Sequence, residues 1–187
     1  MLRSSVAGAT GTDAACAGPR PVLLYSHGTS VEKSYNIASP STSEAGLVAA
    51  FYAAQGWIVV TSNYVGYDAS RSTYHPYLVA EQQSNDMIDA LRAARKAFTG
   101  IGANDSGKLF LSGYSQGGHV SMATHKAMQT NYASEFKVTA EFTSRPRALT
   151  RKKCRCSETS HSLDAYSNTI RGSTIRLNCW CLLHLKF

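Results

Sequence analysis

"LFLSGYSQGGHVSM", residues 109–122, runs an apolar segment into a glycine, a serine set between two glycines, and then residues at helical spacing. "GKLFLS" (107–112) reads as a strand and "QGGHVSMATHKAM" (116–128) as a helix, which leaves Ser115 on a tight corner between them. A hydroxyl there clears its own backbone only where flanking side chains are absent, and Gly113 and Gly117 supply that absence. The pattern is G-x-S-x-G in the strand–turn–helix context of a nucleophile elbow. The helix also turns its first amides toward the space beside the serine, beginning with the N–H of Gln116; one such donor to a developing oxyanion is typically worth about 3 to 4 kcal/mol. A chance match in a glycine-rich turn is the plainer reading, and the flanking strand and helix weigh against it.

Upstream, "PVLLYSHG" (21–28) is a short apolar run stopped by a glycine, as in a buried strand. "SEAGLVAAFYAAQG" (43–56) reads as a helix with Ser43 as N-cap and Gly56 in the left-handed position past its end. "WIVVTSNY" (57–64) is rich in β-branched and aromatic residues and reads as a second strand. From Glu81 to Phe98, Met87, Ile88, Leu91, Ala94 and Phe98 make one apolar helical face, and Asp89, Arg92 and Arg95 lie on the other. "FKVTA" (136–140) would begin a fourth strand. Strands without polar alternation, separated by helices, imply an α/β class: an open, mostly parallel sheet with helices on both faces.

In such a sheet, chemistry gathers at the carboxyl ends of the strands, which is where Ser115 stands. A second oxyanion donor is expected from the loop after the first strand, which begins "HGTS": Gly28 lets the backbone approach closely, and the N–H of Thr29 is the candidate. Taken alone, His27-Gly28 is accounted for by a strand-ending turn. His119 and His125 follow the serine on its own helix and read as surface or packing histidines. His75, ahead of Pro76 in a loop, reads as a turn residue beside the pocket.

With 187 residues and 43% hydrophobic content, the chain can bury one real core. No apolar run approaches the roughly 18 residues of a membrane span, and the first twenty residues lack the apolar centre of a secretion signal. No integral membrane association is expected. Residues 1–143 hold ten Lys/Arg and ten Asp/Glu, whereas 144–187 hold nine Lys/Arg against Glu158 and Asp164, so the net charge of +7 belongs to the tail. Cys154, Cys156, Cys179 and Cys181 also fall there, with one glycine of the fourteen, Gly172. The division is therefore a core over 14–143 and a basic, Cys- and Ser-rich tail over 144–187, read as disordered or as the product of a reading frame shifted from about residue 141. The run Arg151, Lys152, Lys153, Arg155 raises nucleic-acid binding, but without interleaved aromatics it reads as a solvated charged segment, and no nucleic-acid partner is expected. The C-x-C pairs with His161 and His184 lack the spacing of structural zinc sites. No metal and no organic cofactor is implied.

"PVLLYSHGTS", "GWIVVTSNYVGYDAS", "HPYLVAEQQSNDMIDALRAA" and "LFLSGYSQGGHVSMATHKAM" together resemble the α/β-hydrolase superfamily and, within it, the secretory lipase group, over about residues 14–140. The resemblance implies an exported lipase or esterase acting on lipid or small-molecule esters through a Ser, His and Asp triad under a lid. Ser115 takes the nucleophile's place, and Gln116 and Thr29 those of the oxyanion donors. The acid and the histidine normally lie a hundred or more residues past the elbow, and 72 remain here. The order Ser115, Asp164, His184 fits nucleophile, acid and base, yet neither of the last two follows a recognisable strand. Three functions stay open at this point: an ester hydrolase working through an acyl-enzyme, a remnant with elbow but no base, and a binding protein using its basic tail. Acyl preference and oligomeric state are left open.

Overall fold

The computed structural model describes residues 4–8, 18–39, 41–144 and 181–185. Strands β1 (Ser4–Gly8), β2 (Arg20–Ser26), β3 (Ile58–Ser62), β4 (Asp105–Tyr114), β5 (Val138–Ser144) and β6 (Cys181–Leu185) form one sheet in the order β5-β4-β2-β3-β1-β6. β2, β3, β4 and β5 run parallel, with Leu24 opposite Val60 on one side and Leu111 on the other. β1 is antiparallel to β3 and to β6. The α/β class and the four parallel strands are those anticipated from the apolar runs. The two outer antiparallel strands were not: "SSVAG" has no apolar run of its own, and β6 lies in the tail, where no strand was expected.

Helices α1 (Ser43–Phe51), α2 (Ala80–Phe98) and α3 (Gln116–Asn131) cover the two faces. On one face Val22, Leu24, Ile58, Val60, Leu109 and Leu111 pack with Met87, Ile88, Leu91 and Ala94 of α2 and Val120 and Met128 of α3. The alternate residues Leu23, Tyr25 and Val59 pack on the other face with Val48 and Ala49 of α1. Val22, Leu23 and Leu24 are all buried, which is why β2 reads as an unbroken apolar run. Each such leucine contributes about 2 kcal/mol through burial.

Ser43 is not the N-cap of α1 but its first helical residue. Thr42 holds the cap position, and its hydroxyl donates to the Asn36 carbonyl at 2.8 Å rather than capping the helix. Gly56 does take a left-handed conformation, φ 89°, closing a 3-10 turn over Ala53–Gln55.

The chain leaves β2 through α1 to β3 on one side, then crosses back through α2 to β4 on the other. The strand order therefore reverses at β2, and open α/β sheets bind ligands in the crevice at the carboxyl ends of the strands flanking such a switch point. That crevice lies between the ends of β2 and β4.

Candidate functional site

One residue separates β4 from α3. Ser115 sits at φ 55°, ψ −115°, a combination that side-chain-bearing residues rarely adopt. Three backbones meet behind it. A Cβ on Gly113 would overlap the backbone of Gly117, and a Cβ on Gly117 would overlap the Ser26 carbonyl and lie 2.7 Å from the His27 oxygen. The glycines thus let the corner close onto the end of β2, a stronger requirement than clearing space around the hydroxyl. Ser115 is half-buried, and Gly118 N–H donates to its carbonyl at 3.0 Å. The amides ahead of Gly118 belong to the helix N-terminus, whose first N–H groups have no intrahelical partner.

Gln116 is buried, and its side-chain Nε2 lies 3.0 Å from His75 Nε2. His75 Nδ1 lies 2.7 Å from the Val65 carbonyl. A carbonyl only accepts, so the proton is on Nδ1 and Nε2 accepts from the Gln116 amide. His75, a turn residue by sequence, therefore steadies the residue that follows Ser115.

The loop after β2 comes against the same corner, for a Cβ on Gly28 would meet the Tyr114 ring at 3.1 Å. Gly28 N–H donates to Glu44 Oε1 at 2.9 Å, so that amide is already occupied. Thr29 is exposed, with its hydroxyl 3.4 Å from that of Tyr77. His27 is fully buried, stacked on Tyr64 at 4.1 Å and beside Tyr35 at 4.7 Å, and its Nδ1–H donates to the Gly28 carbonyl at 2.7 Å. Its backbone carbonyl accepts from the Tyr64 hydroxyl at 3.0 Å.

Burial lowers the His27 pKa to about 4, more than offsetting its hydrogen bond to Gly28 and the nearby Glu44. The ring is neutral at pH 7 and its folded pKa is depressed below the unfolded value of 6.5, so its stability contribution is complete above pH 6.5 and lost as pH falls toward 4. The loss is on the order of 3 kcal/mol. Asp86, raised by burial, has the opposite sign and offsets part of it. Urea unfolding across this range should show the loss, and His27→Phe should flatten it; a slope unchanged in the variant would contradict a buried neutral ring.

His119 is exposed, and His125 Nδ1 pairs with Glu141 of β5 at 2.7 Å. Among the described residues, none of His27, His75, His119 and His125 hydrogen-bonds to Ser115. His184 lies on β6, four strand positions from β4, about 19 Å at the usual spacing, so the sheet does not bring its backbone to Ser115. Asp164 lies outside the described residues, as do Cys154, Cys156, Cys179 and His161. Among the described residues there is no cluster of three or more His, Cys, Asp or Glu that could hold a metal, and no helix long and apolar enough to cross a membrane.

A strained serine between strand and helix, at the switch point of an open, mostly parallel sheet, is the arrangement of an α/β-hydrolase. The family model for secretory lipases matches residues 38–159, and the chain belongs to that family. The rice cell wall degrading esterase LipA from Xanthomonas oryzae is similar at 35% identity and a TM-score of 0.68, over 74% of this chain and 36% of that one. A solved structure from Legionella pneumophila matches at 28% identity and a TM-score of 0.61, over 68% of this chain and 34% of the other. The chain thus spans about a third of the length of these solved relatives. No curated protein matches.

Proposed function

We propose that the chain is a serine ester hydrolase, a carboxylic ester lipase or esterase, whose nucleophile is the Ser115 hydroxyl and whose oxyanion donors are the N–H groups of Gln116 and Thr29. The backbone of Ser115, φ 55° and ψ −115°, carries this reading. A serine is held in so unfavourable a conformation only where the surroundings over-determine it, and such strain concentrates at functional sites. The Ser115 oxygen attacks the carbonyl carbon of an ester, the bond to the alcohol oxygen breaks as that oxygen takes a proton, and water then releases the acid from the acyl-serine. The secretory lipase family supports a lipid or small-molecule ester as substrate and an extracellular place of action.

A second reading is favoured by one observation: none of His27, His75, His119 and His125 bonds to Ser115. An elbow with oxyanion donors but no base keeps only the residual catalysis of those donors and of binding, about 10³ to 10⁴ over water. A short-chain nitrophenyl ester and a fluorophosphonate probe separate the two. Turnover and labelling that both vanish in Ser115→Ala support the hydrolase; a wild-type chain silent to both supports the elbow without its base. Labelling unaffected by the substitution would sink the assignment of Ser115.

A further inference from the structure

Glu44, in the first turn of α1, accepts three hydrogen bonds on one carboxylate. Oε1 takes the Tyr25 hydroxyl at 2.8 Å and the Gly28 N–H at 2.9 Å, and Oε2 takes the Tyr35 hydroxyl at 3.1 Å. The donors come from β2, from the loop after β2, and from the chain leading to α1. A carboxylate tied to two phenols cannot swing, so the backbone amide bonded to it is fixed as well. Burial, then Glu44 itself, raises the pKa of both Tyr25 and Tyr35, which keeps the phenols protonated and donating.

Gly28 is also pressed against Tyr114, the residue before Ser115. Any shift of Gly28 moves the next amide, Thr29, relative to the corner. A negative charge this close to a developing oxyanion does not help it directly, so the use of the carboxylate is geometric.

We propose that Glu44 is the positioning residue of the loop carrying the second oxyanion donor: by occupying the Gly28 N–H and anchoring it to Tyr25 and Tyr35, it leaves the Thr29 N–H as the amide that faces Ser115. This rests on the reading of Ser115 as nucleophile. It also means that the Gly28 amide is not itself an oxyanion donor.

The test uses the full chain and Glu44→Ala, Glu44→Gln and Tyr35→Phe. Amide hydrogen exchange at Gly28 should quicken at least about tenfold relative to the rest of β2 in Glu44→Ala, as expected for loss of a local protecting bond. The maximal rate of fluorophosphonate labelling should fall about 10- to 100-fold, the scale of misplacing one donor by up to an ångström, with the half-saturating probe concentration unchanged. Glu44→Gln keeps an acceptor oxygen for Gly28 and should restore most of both; Tyr35→Phe, which removes one tether, should fall between. Labelling as fast as wild type in Glu44→Ala, or a loss that Gln does not restore, overturns the proposal. If Glu44→Ala does not fold, an unaltered labelling rate in Tyr35→Phe does so instead. A wild-type chain that resists the probe sinks the hydrolase reading on which this rests, and Gly28 exchange then decides whether Glu44 holds the loop.

Discussion

Ser115→Gly is expected to abolish fluorophosphonate labelling and, at the same time, to make the fold more stable. At φ 55° and ψ −115°, Ser115 occupies a region that opposes any side chain, and such a residue costs about 1 to 3 kcal/mol. Glycine takes the same backbone without that penalty, offset by about 0.5 to 1 kcal/mol of extra freedom in the unfolded chain. The net gain should be about 1 kcal/mol by urea unfolding at pH 7. Ser115→Ala is the necessary comparison, because it removes the same oxygen but keeps the Cβ. It should lose labelling equally and gain no stability. If glycine and alanine unfold at the same urea concentration, the corner is not strained, and the argument that the strain is kept for the sake of the hydroxyl fails with it.

What the sequence disclosed follows from how local each signal is. β2 and β3 are buried on both faces, so their apolar runs are visible without knowledge of any partner. The corner is equally local, since two glycines and a serine within five residues define it. β1 carries no such signal, for Ser4–Gly8 is a strand by virtue of its pairing along the free edge of β3, and β6, Cys181–Leu185, has a short apolar run but no neighbouring pattern to place it beside β1. Glu44 was hidden for another reason. An acidic residue in a helix's first turn is explained well enough by the helix dipole. Its actual partners, Tyr35, Gly28 and Tyr25, lie 9, 16 and 19 residues away, where no pattern reaches. His75 likewise meets Gln116 across 41 residues. The corner at Ser115 was therefore readable from its own neighbours, whereas the contact of Glu44 with Gly28 and that of His75 with Gln116 needed the tertiary structure.

Two glycine-to-alanine substitutions should move stability in opposite directions. A methyl on Gly117 would overlap the Ser26 carbonyl and lie 2.7 Å from that of His27, both in the backbone at the end of β2. β2 is held between β3 and β4 and cannot give way without disturbing both ladders. Overpacking usually costs about 1 to 3 kcal/mol, and with only backbone to move, Gly117→Ala should reach about 3 to 4 kcal/mol. Gly46, inside α1, has nothing within 4 Å of the same position. Its replacement by alanine should stabilise by about 0.5 to 1 kcal/mol through helix propensity alone. Measured by urea unfolding, the pair separates the two uses of glycine: an alanine tolerated at residue 117 would mean that β2 and the corner at Ser115 are not packed backbone to backbone.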